Sequence, residues 1–403
     1  MNRDNAVQIV TDTTAPRRAF LRKSLLLAVP VVMGGTAFSA AAAPTVFIPP
    51  TRARGTAVIN VRDHGATGNG STDDTAAFTR AINALPDAGG TVYVPEGSYL
   101  LDPAKSVRLR SRMHLQLAPT AKLVAKPNAL ERAYLLYVYD AQDVEISGGQ
   151  IVGERYQHKG TTGEWGHGIM VRGADRLTIR DIRISDCWGD GISVSSVKVT
   201  TRLEPWRPSD DVVVANVVCT GNRRQGMSIG GVRNMKVYDS EFSDTRGILP
   251  GCGIDIEPDK FNLDRTENVR IENCLFRGNQ GNGILVYRRV TQVVIKRCQI
   301  EHNDGYGILT VGAEKGYIAL NKIKHNRLDG LGINSASNNY NVAGNYFRNN
   351  TTRNHGIVGL NATWSGTSWT PLTGLVSGRN GNQAHVEVSN STNVTIGRNF
   401  YSK

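Results

Sequence analysis

The sequence predicts an all-β fold: a single-stranded right-handed parallel β-helix, a solenoid, with an N-terminal capping helix. Three observations carry the prediction. The first is a recurring glycine at Gly168, Gly191, Gly226, Gly253, Gly283, Gly307, Gly330 and Gly356, at steps of 23, 35, 27, 30, 24, 23 and 26 residues. That period is too short for an ankyrin or tetratricopeptide unit. The second is what fills each period. Asn268 to Asn279 and Gln292 to Asn303 each read as two short strands ending in Asn, and a Gly-apolar-x-apolar strand follows. Three short strands per coil, each coil stacked on the last, make such a solenoid. The third is composition. The 403 residues hold 43 Gly against 15 Pro, and 40% are apolar. This favours many tight turns around a real core and excludes collagen and proline-rich linkers.

Taken in chain order, residues 1–43 read as a twin-arginine export signal. Arg17-Arg18-Ala19-Phe20-Leu21-Arg22-Lys23 precedes an apolar stretch from Leu25 to Phe38 and the small residues Ser39 to Ala43. The expected compartment is periplasmic or extracellular. Residues 44–58 read as a linker. Residues 59–143 read as the cap and first coils. Asp73 or Asp74 is placed to cap a helix running to about Leu85, and Gly89 to Tyr99 gives a turn and a strand. Such a helix can cover the open first coil and shield its apolar end. Residues 144–403 read as the β-helix repeats. Asn222, Asn279, Asn303, Asn326 and Asn349 are expected to form an internal ladder at one turn. The stretch Ala362 to Gln383 breaks the pattern and reads as a loop or cap.

The formal charge is +12. A cationic exported protein suits anionic polymers such as uronic-acid polysaccharides. Nucleic acid is not expected, because export removes the target and no binding motif is present. No apolar run past the signal is long enough to span a bilayer, so no membrane partner is expected. The five cysteines, Cys187, Cys219, Cys252, Cys274 and Cys298, lack zinc-site spacing and read mostly as buried core thiols. The sequence leaves the oligomeric state open.

Residues i and i+2 of a strand share a face. With Ile254 and Ile256 inward, Asp255 and Glu257 point outward, and no other coil puts two carboxylates there. Their backbone spacing of about 6.6–7 Å suits an acid and a base with a water between them, as in inverting glycosidases. The alternatives are a calcium site or a solvated acidic strand. Asp190 is a second candidate acid and His167 a candidate base, both just before the equivalent strand. Arg223 or Arg224 can hold a uronate carboxylate, and Gln225 lies beside them. Trp165 and Trp188 can stack on sugar faces. Tyr287 and Lys260 complete the candidate substrate contacts. Two insertions, about Lys198 to Asp210 and Thr245 to Leu263, are placed to wall this groove.

The stretch from Val61 to Leu100, with Asp63-His64-Gly65-Ala66 and Val94-Pro95-Glu96-Gly97, resembles the N-terminal signature of the pectate-lyase-like superfamily. That group includes the polygalacturonases and rhamnogalacturonases of glycoside hydrolase family 28 and phage tailspike depolymerases. The resemblance covers nearly all of the chain after residue 58. It implies the β-helix and a polysaccharide partner. The order of motifs departs from family 28: Gly166-His167-Gly168 precedes the acids instead of following them, so that family's catalytic residues do not transfer. The expected activity is glycoside hydrolysis without a cofactor or metal. The alternatives are a lyase or uronan epimerase, for which Ca2+ is the expected ion, and a non-catalytic glycan-binding protein.

Overall fold

The computed structural model describes residues 47–199, 206–259, 263–350, 362–364, 369–371 and 386–402. The export segment, Lys260 and Gly356 lie outside the described residues. The chain divides into two units, Met1–Ile48 and Pro49–Lys403.

In the second unit three sheets run the length of a parallel β-helix. Sheet I has 14 strands, sheet II has 12 and sheet III has 10. One coil shows the plan: Val290–Lys296 in sheet I, Gln299–Glu301 in sheet II and Ile308–Val311 in sheet III. Each strand pairs in parallel with its counterparts on the adjacent coils, as Val293 does with Val269 and Gly316. Alternation drives this. Along Thr266–Glu272, Val269 and Ile271 are buried and Arg270 between them is not. The inward side chains stack in columns, such as Phe242 on Phe276 with centroids 5.5 Å apart. All five cysteines are free thiols within this interior.

The glycine period has a steric cause. A Cβ on Gly307 would lie 2.5 Å from the Gly330 carbonyl oxygen, and one on Gly283 would lie 2.6 Å from that of Gly307. The next coil's backbone occupies the side-chain position. Sheet I adds a second device. Asp143, Arg176, Asp211, Asn234, Asn268, Gln292, Lys315, Asn339 and Asn393 all have left-handed φ, at matching positions on successive coils. Asn and Asp tolerate that conformation better than most residues, and they supply six of the nine.

The asparagine ladder is real from Asn279 onward, with two corrections. Asn222 accepts the Cys187 backbone N–H but does not join the ladder, because Thr245 holds the position before Asn279. Asn279 Nδ2 donates to Asn303 Oδ1, Asn303 Nδ2 to Asn326 Oδ1, and Asn326 Nδ2 to Asn350 Oδ1, at 2.8, 2.9 and 2.9 Å. Among the described residues the final rung is Asn350, which is buried, and not the exposed Asn349. Asn349 has left-handed φ and turns the corner instead. A second ladder, Asn321 to Asn345 to Asn399, runs beside the turn from sheet I to sheet II.

The capping helix spans Thr75–Asn83. It buries Ala77, Phe78, Ala81 and Ile82 against the first coils, where Phe78 meets Tyr99 edge-on. Of the two candidate caps, Asp73 binds the helix's first N–H, and Asp74 sits at the N-cap position without a side-chain cap bond. Asp73 Oδ1 accepts from the Thr75 backbone and hydroxyl, while Asp74 ties down Thr67 and Gly68. At the other end, Ala362–Trp364 and Trp369–Pro371 form an antiparallel hairpin that pairs with Thr392–Ile396.

The expected linker is anchored along part of its length. Arg52 donates to Thr178 Oγ1, the Leu177 carbonyl and Asp211, and Arg54 donates to Glu145 at 2.8 Å. Glu145 is fully buried and also pairs with Arg180 at 2.6 Å. Removing its carboxylate takes the ion-pair partner from Arg54 and leaves Arg180 only Asp181, at 2.6 Å. Glu145→Ala is therefore expected to lower stability by about 3 kcal/mol in denaturant titration; a loss below about 1 kcal/mol would show that this anchor is energetically idle.

Candidate functional site

Sheet III lays its outward residues in register, one per coil. One row runs Tyr137, Met170, Ser193, Ser228, Asp255, Leu285. The preceding register position begins with Tyr134 opposite His167. It continues through Asp190, Gln225 and Cys252, whose carbonyls accept from Gly168, Gly191 and Gly226. The fold thus brings His167, Asp190, Gln225 and Asp255 together from strands far apart in sequence.

Arg224 organises one half of the cluster. Its Nε donates to Glu164 at 2.9 Å, and its Nη1 lies 3.2–3.3 Å from both Asp190 oxygens and 3.3 Å from Ser228 Oγ. Asp190 is completely buried, so this pairing keeps its charge tolerable. Burial opposes a charge on Arg224, but the carboxylates of Asp190, Glu164 and Asp255 more than offset it and hold the guanidinium ionised. Its Nε and Nη1 are engaged with Glu164, Asp190 and Ser228, so Arg224 serves as an internal counter-ion to the two carboxylates. Arg223 is engaged too. It lies 3.6 Å over the Trp188 ring and donates to the Gly163 carbonyl.

His167 is buried beneath Tyr134, with ring centroids 5.5 Å apart and planes at 2°. Its Nδ1 accepts the Asp190 backbone N–H at 3.0 Å. Burial pulls its pKa down to about 4, against the attraction of Asp190. A neutral, nearly fully buried imidazole with its proton on Nε2 and its Nδ1 lone pair taken by a backbone N–H is a structural acceptor, so the sequence expectation of a base here is corrected.

Asp255 and Glu257 are close enough to couple, but their surroundings differ. Asp255 is 2% exposed within Ile254–Ile256, and Glu257 is exposed just past the strand's end. Burial raises the Asp255 pKa to about 8; the charge of Glu257 adds to this and Arg224 opposes it. The acid is therefore neutral at pH 7. Gln225 decides where its proton sits. The Gln225 Oε1 accepts the Cys252 backbone N–H at 2.7 Å, and a backbone N–H can only donate, so the amide cannot be flipped. Its Nε2 must then donate to Asp255 Oδ2, at 2.9 Å. Oδ2 is an acceptor, and the proton belongs on Oδ1, which has no hydrogen-bond partner. Gln225 is thus a buried positioning residue and not a substrate contact. The sequence held a signal for this, since Gln225 precedes Gly226 just as Asp190 precedes Gly191.

The remaining candidates separate. Trp188 is sandwiched between His158, 3.8 Å away, and Arg223, so it has no free face for a sugar. Trp165 is half-buried under Arg132, at 4.5 Å. Tyr287 stands one coil beyond Asp255, half-buried, with Arg288 5.0 Å over its ring. Lys260 falls outside the described residues. Among the described residues no group of three or more His, Cys, Asp or Glu side chains is placed to hold a metal ion. With Asp190 bound to Arg224, two carboxylates remain at the groove.

A family described as "Right handed beta helix region" matches residues 128–262 and 259–401. The chain belongs to this right-handed β-helix family. The first coils of this β-helix protein, residues 58–157, match "Rhamnogalacturonase A/epimerase, pectate lyase-like", in agreement with the resemblance read from the cap. The protein is 29% identical over 285 residues to uncharacterized protein YclG of Bacillus subtilis, covering 65% of this chain and 48% of that protein. It is 24% identical over 252 residues to mannuronan C5-epimerase AlgE1 of Azotobacter vinelandii, covering 56% of this chain and 18% of that one. The chain thus spans about half or less of the length of these relatives. Among solved structures it is similar to the A-module of Azotobacter vinelandii mannuronan C-5 epimerase AlgE6. The TM-score is 0.66 at 16% identity, over 86% of this chain and 99% of the other.

Proposed function

We propose that this β-helix protein is an exported enzyme that hydrolyses glycosidic bonds of a polysaccharide in the groove of sheet III. One observation carries the reading: two carboxyls on one coil whose environments differ, a buried neutral acid at Asp255 and an exposed carboxylate at Glu257. Pairs of titratable groups pushed apart in this way divide acid and base roles. Asp255 Oδ1 gives its proton to the leaving-group oxygen as the glycosidic bond breaks. Glu257 takes a proton from a water that attacks the anomeric carbon from the opposite face. The products are a new reducing end of inverted configuration and a free hydroxyl on the departing sugar. Oδ1 is buried, so substrate reaches it only once a neighbouring groove side chain moves aside.

The acid works only while protonated. Activity is expected to fall about tenfold per pH unit above pH 8, as Asp255 ionises. A rate that stays flat to pH 10 would remove Asp255 from the acid role.

A second reading has its own support. Mannuronan C5-epimerases recur among the relatives, and their name implies proton removal at C5 of a uronate. Lyase chemistry begins with the same proton removal, and Ca2+ is the ion expected for it. Incubation with acidic and neutral polysaccharides separates the readings. New reducing ends without ultraviolet-absorbing unsaturated products support hydrolysis. Unsaturated ends that vanish with chelator support a lyase, and solvent deuterium at C5 without cleavage supports an epimerase. Retention of glycan with no chemical change supports a binding protein.

A further inference from the structure

Sheet III carries a second cluster on the coils N-terminal to Asp255. Arg108, Tyr137 and Met170 follow one another in one register row, and Tyr139 stands opposite Arg172 in the next. Arg132 stands opposite Trp165 on the same two coils. The rings form a continuous platform, with Tyr134 5.3 Å from Tyr137 and Tyr137 5.6 Å from Tyr139. Cations rest on it: Arg108 lies 5.3 Å from the centroid of Tyr137, and Arg132 lies 4.5 Å from that of Trp165.

The ion pairing of these arginines sets them apart. Elsewhere on the solenoid, Arg54, Arg176, Arg180 and Arg207 each face a carboxylate at 2.6–2.8 Å. Arg108, Arg132 and Arg172 pair with no carboxylate among the described residues. Arg108 and Arg132 are exposed and Arg172 is half-buried. Between this cluster and Asp255 the groove floor is small and polar, through Ser193, Ser195 and Ser228. In the sheet order, Arg172 lies three coils from Asp255 and Tyr137 four. At about 4.8 Å per coil those are roughly 14 and 19 Å.

We propose that this platform is a binding subsite for a carboxylate-bearing glycan strand laid along the solenoid axis toward Asp255. Flat tyrosine faces take the apolar faces of sugar rings. A guanidinium resting on a ring keeps its planar edge free for a bidentate carboxylate. The serine floor leaves room for the strand to continue to the acid pair. The location of the reacting bond rests on the proposed hydrolysis; the binding itself does not.

The test is affinity electrophoresis of the full chain carrying Asp255→Asn, so that turnover cannot blur binding. The gels contain polymannuronate or polygalacturonate, the same polymers with their carboxyls reduced to alcohols, or a sulfated glycan. Retardation by at least one polyuronate and not by its reduced form is the expected result. Adding Arg108→Ala and Arg172→Ala together should weaken that binding about tenfold or more. Arg277→Ala, which removes an arginine paired with Glu241 on sheet II, should leave it unchanged. Equal retardation by the reduced polymer, binding of the sulfated glycan alone, an unaffected double variant, or no retardation in any gel would each overturn the proposal. Absence of hydrolysis by the wild type, with this binding intact, would overturn the proposed reaction and leave the subsite standing.

Discussion

Asp255→Asn is expected to lower kcat by 10²- to 10⁴-fold while leaving the fold intact. Asparagine is the neutral isostere of the protonated acid. It can accept the Gln225 hydrogen bond through its amide oxygen, as Oδ2 does at 2.9 Å. What it lacks is the transferable proton on Oδ1, and general acid catalysis is worth about that range. Stability should move the opposite way at high pH. The folded pKa of about 8 lies above the unfolded value near 3.9. A group raised in this sense contributes stability that is fully present below the unfolded pKa and is lost as pH rises through the folded one. The wild type should therefore lose stability between about pH 4 and pH 8, and Asp255→Asn should not. A variant that lost activity and stability together at every pH would point to a packing role.

Asn303→Ala should be among the most damaging substitutions outside the groove. Oδ1 of Asn303 accepts from both the backbone and the side chain of Asn279, and its Nδ2 donates to Asn326 and to the Phe276 carbonyl. Truncation removes four buried hydrogen bonds to the two flanking coils, and each polar group left without a partner costs about 1–3 kcal/mol. Even with partial rescue by water, a loss of about 3 kcal/mol or more is expected in denaturant titration. A loss under about 1 kcal/mol would mean that the ladder decorates the turn without holding it. Asn349→Ala, one residue from the rung at Asn350, should cost much less, since it gives up a corner position and no rung.

The contrast between Asn349 and Asn350 shows how much of the architecture could be read in advance. The glycine period and the strand alternation are local signals, set by steric exclusion at each corner and by burial on each face. They located the coils to within a residue or two. The column of left-handed residues in sheet I was also present in the sequence, as Asn and Asp at matching coil positions, but without a register it reads as ordinary turn polarity. The candidate site was legible as a list of residues and illegible as a set of roles. Asp255 and Glu257 were found by strand periodicity. The burial of Asp255, the capture of Arg224 by Glu164 and Asp190, and the sandwich around Trp188 depend on side chains brought in from coils up to 60 residues apart. No spacing rule within one coil reports such contacts. The arginine–tyrosine platform escaped for the same reason. Arg108, Tyr137 and Arg172 are unremarkable singly and meet only in register.

The central claim is that Asp255 holds its proton at neutral pH, and this can be read directly without knowing the substrate. The full chain, labelled with carboxyl-carbon-13 aspartate, would be titrated by NMR from pH 4 to pH 10. The Asp255 signal would be assigned by its loss in Asp255→Asn. The account predicts a carboxyl that titrates near pH 8 and shifts when Glu257 is changed to Gln. A resonance already ionised by pH 5 would contradict it, and the assignment of Asp255 as the acid would fall with it.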